Sequence, residues 1–244
     1  MAAGVGSAAG SMLLVGALVA WTIRVPQAVI SGIMAFGAGV LISALAYELV
    51  QEANDGGGLV PTVAGFVTGA VLYVGADALL ARAGARHRKR VSVSQSGTDG
   101  ASNGTAIAVG SLLDGVPESI VLGLSVAGGG AVGLPMLAAV AISNIPEGLS
   151  SSAGMKASGR GAAYIFGVWS SIVVASGLAA GLGAVLLDGA APEVVAFVTT
   201  IAAGGILAMV SNTMIPEAFA KDRSLTGLYA TLGFLSAFVL HELG

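Results

Sequence analysis

The sequence predicts an all-α integral membrane protein with eight transmembrane helices in a 3+2+3 arrangement. Helices one to three and six to eight form an inverted repeat around a central pair, four and five. Three observations lead there. Of 244 residues 55% are apolar and only 9% charged, with a mean hydropathy of +0.91, whereas a soluble domain carries about 25% charged residues. Eight apolar stretches approach the ~20 residues that a spanning helix needs. All ten Lys and Arg fall after odd-numbered stretches, as loops on one side of a membrane require.

The stretches are Ala2 to Ile23, Gln27 to Leu49, Leu59 to Ala81, Thr105 to Ala127, Val132 to Gly154, Gly161 to Leu187, Glu193 to Ile215 and Ser224 to His241. The first is too long for a signal-peptide core and lacks a basic start, so it reads as a retained helix. Arg24 follows it, and Arg82, Arg86, Arg88, Lys89 and Arg90 follow the third. Lys156 and Arg160 follow the fifth, and Lys221 and Arg223 the seventh. Basic loops are cytoplasmic, so both termini are expected on the extracellular or periplasmic side of a plasma membrane. The one long connection, about 84–103, passes from basic residues into Ser, Gln, Gly and Thr and reads as a flexible cytoplasmic loop. His87 in it has no partners for a metal site. The whole chain, 1–244, reads as one transmembrane domain.

The second and seventh helices align without gaps: Gly39 with Gly204 and Glu52-Ala53 with Glu217-Ala218. By the topology above they run in opposite directions, and inverted repeats flanking a midplane site mark secondary transporters. Glu48, Glu52 and Asp55 close the second helix as an acidic outer rim. Asn212 and Glu217 face an inner exit, Ser171 and Ser176 of the sixth helix back the centre, and His241 and Glu242 are expected to be exposed at a terminus.

The chemistry lies in two related motifs in the fourth and fifth helices, Asp114-Gly115-Val116-Pro117-Glu118-Ser119 and Ser143-Asn144-Ile145-Pro146-Glu147-Gly148. Asp114 and Glu118 are four apart, as are Ser143 and Glu147, while Asn144 and Glu147 are three apart, so each set shares a helix face. Pro117 and Pro146 lack an N–H, which leaves the carbonyls of Leu113 and Ile142 as extra oxygen donors. A short turn at Gly128-Gly129-Gly130 brings the two faces together. Acids inside a bilayer are costly and mark function; in low dielectric they take up protons or attract a cation. The candidate ligands for such a cation are Asp114, Glu118, Ser143, Asn144 and Glu147. There is no Cys, which excludes disulfides, thiolate metal sites and Cys nucleophiles. The basic cluster is explained by topology, so nucleic-acid binding is not expected.

At these residues the chain resembles the ZIP (Zrt-, Irt-like protein) family of divalent metal transporters. The two Pro-Glu motifs, the long loop after the third helix, the eight-helix count and the Glu-Ala ends of helices two and seven carry the likeness over the whole chain. The family's fourth helix typically reads His-Asn-x-Pro-Glu-Gly where this chain has Asp114, Gly115, Val116, Pro117, Glu118 and Ser119. Its fifth offers His or Gln, then Asp, Glu or Asn, before x-Pro-Glu-Gly. The resemblance implies that Glu118 and Glu147 are the central metal ligands, that metal moves into the cytoplasm between helices four and five, and that the protein is a homodimer. Many bacterial relatives add a glutamate in the sixth helix, where Ser170 to Ser176 offers none, so one metal position is expected rather than two. The cargo is expected among Zn, Mn, Fe(II), Co and Cd. Without imidazole, a set of carboxylates, an amide and a hydroxyl favours harder ions such as Mg, Mn or Fe(II) over zinc. The ion is cargo, and no cofactor is expected. Two other classes stay open: a relative that has lost transport and keeps a binding or regulatory role, and an intramembrane metal-dependent enzyme, although the chain lacks His-Glu-x-x-His.

Overall fold

A computed structural model describes residues 1–80, 111–112, 115–125, 134–219 and 225–243, and all of its regular structure is helical. Eight helical segments follow one another among these residues. They are α1 (Ala2–Thr22), α2 (Gln27–Gly57), α3 (Leu59–Leu80), α4 (115–125, preceded by helical 111–112), α5 (Leu134–Ala157), α6 (Ala162–Leu186), α7 (Pro192–Phe219) and α8 (Thr226–Leu243). The expected loop at 84–103, the turn at Gly128-Gly129-Gly130, and Asp114 lie outside the described residues. Five helices, α1, α2, α3, α6 and α7, are long and apolar enough to cross a bilayer. Their large apolar side chains point outward as well as inward: Val60 is 79% exposed, Val71 65% and Val185 75%. A surface of that kind suits hydrocarbon, so the chain is built to be embedded in a membrane.

Which helices meet, and in which direction, follows from the glycines. A methyl group added at Gly39 of α2 would lie 1.9 Å from the Ala230 carbonyl oxygen of α8, and one at Gly233 of α8 would lie 2.0 Å from that of Phe36 in α2. The same reciprocal approach joins α3 to α7, through Gly69 on Ile201 and Gly204 on Phe66, each at 1.9 Å. It also joins α1 to α5, through Gly16 on Ile145 and Gly148 on Leu13, each at 2.2 Å. Such backbone-to-backbone packing is how helices associate where lipid removes the hydrophobic drive. Residue numbers in contact rise together further along each pair: Gly65 with Phe197 then Gly69 with Ile201, Ala9 with Asn144 then Trp21 with Lys156, Gly115 with Ser176 then Gly123 with Ala180, and Gly32 with Tyr229 then Tyr47 with Phe238. The pairs α3–α7, α1–α5, α4–α6 and α2–α8 therefore each run parallel. Across α1 and α6 they run opposite: Gly6 meets Ala180, and Gly10 meets Val173 and Ser176. Every parallel pair joins two odd or two even helices, as an up-and-down path through a bilayer demands.

These closest approaches sort the helices into two sets. Gly57, at the end of α2, packs on Pro192 and Ala196 of α7, so α2, α3, α7 and α8 are linked by glycine contacts. Gly123 of α4 packs against the Ala180 carbonyl of α6 at 2.0 Å, which completes a second set of α1, α4, α5 and α6. Trp169 of α6, fully buried, donates to Ser152 of α5 within that set at 2.7 Å. Between the sets the glycine approach is wider, although one buried apolar core runs through both, from Ala9 and Val140 to Leu41 and Ala203. A methyl at Gly37 of α2 would sit 3.4 Å from Ser143 and 3.7 Å from Pro146 of α5, which is ordinary van der Waals distance.

Two helices extend further than the sequence implied. Helix α2 continues past Leu49 through a wide π turn, Leu45–Gln51, into a last stretch, Glu52–Gly57. Helix α7 likewise passes through Val210–Met214 into Ile215–Phe219. The two π turns begin at the same offset that aligns Gly39 with Gly204. The acids at the end of α2, read as a solvated rim, are helical residues. His241 corrects the expectation of an exposed terminus: in the last turn of α8 its ring stacks on Tyr47, with centroids 5.5 Å apart, and its Nδ1 meets the Glu48 carboxylate of α2. A parallel α2–α8 pair brings both helices' C-terminal ends together, which the one-dimensional order hides.

Candidate metal site

Helix α5 carries Pro146 inside a continuous helix. Having no N–H, Pro146 donates no bond to the Ile142 carbonyl. The same helix sets Asn144 and Glu147 on the face toward α1 and α4. There a small pocket opens among α1 (Ala9, Gly10, Leu13), α4 with its preceding turn (Ser111, Gly115, Glu118, Ser119), α5 (Val140, Asn144, Glu147) and α6 (Ser176). Its lining encloses about 260 Å³ of atom-free space, including some open to solvent. Glu118 is 3% exposed and Asn144 6%, so the polar groups meet inside the apolar body of the protein.

Three of the five residues singled out from the sequence, Glu118, Asn144 and Glu147, line this pocket. Asp114 lies outside the described residues. Ser143 is brought elsewhere: it is buried on the α2 side, beside Gly37, and its hydroxyl donates back to the Val140 carbonyl at 3.0 Å. Successive residues on a helix point about 100° apart. Asn144 therefore takes the pocket side and Ser143 the side toward α2, where a short hydroxyl bonds readily to its own helix.

The amide of Asn144 is oriented by α1. Its Nδ2 donates to the Ala9 carbonyl at 3.0 Å, and because two carbonyl oxygens cannot pair, Oδ1 is left as the acceptor end. Glu147 is held by a residue the motif did not indicate: Ser111 donates to its Oε1 at 3.1 Å. Ser111 lies seven residues before Glu118 in the sequence, a spacing equal to two helical turns, and that spacing was the only signal for it. Ser119 lines the pocket with its hydroxyl donated to Gly115 at 2.6 Å. Of the two serines expected to back the centre, Ser176 reaches the pocket, while Ser171 is exposed and bonds to Val168 in its own helix at 2.7 Å. One turn further along α5, Ser150 donates to Glu217 of α7 at 2.6 Å.

Among the described residues of the lining the donors are thus two carboxylates, an amide oxygen and hydroxyls, with no nitrogen or sulfur acceptor. Oxygen sets of this kind hold hard divalent cations. Among the described residues no group of three or more His, Asp or Glu side chains is placed to hold a metal ion. The fold and pocket define an all-helical, membrane-embedded protein whose buried pocket is lined by two acids. Compared with protein-family models and with curated proteins, the chain matches none.

Proposed function

We propose that this chain is a ZIP-type transporter that moves a divalent cation into the cytoplasm between α4 and α5. The observation that carries the reading is the meeting of Glu118, Glu147 and the Asn144 amide oxygen in one pocket inside an apolar helical body. Acids in such a place hold a cation or mark a pathway. Two Pro-Glu helices supply them, as the resemblance implies.

The finer architecture, 3+2+3 with an inverted repeat, is supported by the equal offset of the two π turns. It is also supported by the exchange of partners: α2 pairs with α8 as α7 pairs with α3. The looser Gly37 contact suits one four-helix set shifting against the other, the motion by which alternating access exposes a midplane site to each side in turn. The orientation rests on charge. Lys156 caps the last carbonyls of α1 at Ala20 and Trp21, with Nζ 2.6 Å from the latter, and Arg160 lies over Tyr164. Basic and aromatic side chains at one end suit a cytoplasmic interface. The donor set favours Mn, Fe(II) or Mg over zinc, and the assembly implied by the resemblance is a homodimer in the plasma membrane.

Proteoliposome uptake compared across Mn, Fe(II), Co, Zn and Cd tests the reading. Flux ranks the harder ions first and vanishes when Glu118 and Glu147 are both replaced by Ala; undiminished flux in that variant sinks the assignment. One observation favours a second reading, a binding protein without transport: among the described residues no three acids or histidines are placed to hold a metal ion together. Stoichiometric cation binding with no flux in folded protein selects it.

A further inference from the structure

We infer that Ser150 and Glu217 form a clasp between the two helix sets, and that a divalent cation leaving the pocket opens it by taking over the Glu217 carboxylate. The cation's part rests on the transporter reading above; the clasp stands on geometry. Ser150 belongs to α5, in the set that carries the pocket, and Glu217 to α7, in the other; the hydroxyl donates to Oε1 at 2.6 Å. The bonds made by Ser111, Asn144, Lys156 and Trp169 stay within the pocket set, and the Glu48–His241 contact stays within the other.

Position gives the clasp its direction. Ser150 follows Glu147 by three residues, on the same face of α5 and about 4.5 Å along its axis, toward the end that carries Lys156. A cation stepping from Glu147 toward that end meets the Glu217 carboxylate next. Glu52, which matches Glu217 in the aligned stretch of α2, is exposed and makes no hydrogen bond among the described residues. Among the described residues the matched positions therefore differ: Glu217, toward the Lys156 end, is tied across the interface between the sets, and Glu52 is not. A neutral hydroxyl holds a carboxylate by a dipole. A divalent ion holds it by full charge and displaces the hydroxyl.

The chain has no Cys, so one reporter can be placed beside the clasp and outside the pocket by Leu149→Cys, at the buried side chain of α5 that clusters with Ile30 of α2 and Ala20 of α1. The readout is its reaction with a membrane-impermeant maleimide, in sealed vesicles that present the Lys156 end to the medium. The reporter alone reacts slowly and is accelerated by Mn²⁺. Adding Ser150→Ala raises the metal-free rate by about tenfold, as expected for losing a hydrogen bond to a charged group, and Ser150→Thr restores the slow rate. Glu217→Gln, which still accepts the hydroxyl but holds a cation poorly, stays slow with or without Mn²⁺. Mn²⁺ binding by titration is unchanged in Ser150→Ala. A metal-free rate unaltered by Ser150→Ala, or equally fast in Ser150→Ala and Ser150→Thr, overturns the clasp; Mn²⁺ acceleration that survives Glu217→Gln overturns the cation's part. Absence of Mn²⁺ binding in every variant overturns the transporter reading, while the metal-free comparison still decides the clasp.

Discussion

Ser111 and Asn144 do different work at the pocket, and each predicts a different mutant. Ser111 touches the Oε1 of Glu147 and so fixes how that carboxylate is presented. Ser111→Ala is expected to weaken Mn²⁺ binding by about 10- to 100-fold, the usual effect of losing a partner that orients a ligand, while Ser111→Thr retains it; titration calorimetry reads both. Asn144 is a strut to α1 through Ala9 and, in the proposed reading, a ligand as well. Asn144→Asp keeps an oxygen toward the pocket but sets another against the Ala9 carbonyl. Thermal stability is expected to fall by about 1–3 kcal/mol with cation binding retained, and loss of binding in still-folded protein contradicts the assignment of Oδ1 as a donor. Glu118, Asn144 and Glu147 were legible in the sequence because acids and amides inside apolar runs are too costly to be incidental. Ser111 was not, since a membrane serine so often bonds to its own helix, as Ser143 and Ser171 do. Nor did the sequence say which of Ser143 and Asn144 faces the pocket. That depends on where α1 lies, and its wall residues Ala9 and Gly10 carry no polar signature.

At the scale of helices, stability depends on particular glycines rather than on glycine content. Gly39 and Gly148 each lie where a methyl would meet a neighbouring carbonyl oxygen, at 1.9 and 2.2 Å, whereas nothing lies within 4 Å of a methyl at Gly75. Gly39→Ala and Gly148→Ala are expected to destabilise by about 1–3 kcal/mol through overpacking. Gly75→Ala, inside the last third of α3, is neutral or slightly stabilising, since alanine suits a helix better. Melting in detergent followed by tryptophan fluorescence compares them. Helix number and approximate spans were readable from runs of apolar residues. The ends of α2 and α7 were not, because Glu52, Asn54, Asp55 and Glu217 look like an interface in one dimension. The π turns have no residue pattern of their own and exist because their neighbours hold them.

Across the whole molecule, the alternating placement of Lys and Arg anticipated an up-and-down path, and the parallel pairing of like-numbered helices agrees with it. The division into two sets was beyond the sequence: it depends on which glycine meets which carbonyl, a matter of partner choice rather than composition. That division gives the pocket its meaning, since Glu118, Asn144, Glu147 and Ser176 all belong to one set, and the glycine approach at Gly37 between the sets is wider than the backbone contacts that join α1 to α5, α2 to α8 and α3 to α7 within them. The central claim is that a divalent cation sits between Glu118 and Glu147. Anomalous scattering at the manganese edge, from crystals of the protein grown with Mn²⁺, tests it most directly. The predicted result is a single peak within coordination distance, about 2.0–2.6 Å for oxygen ligands of hard cations, of a carboxylate oxygen from each of Glu118 and Glu147. An empty pocket, or a peak confined to Glu48 and Glu52 at the far end of α2, would contradict it.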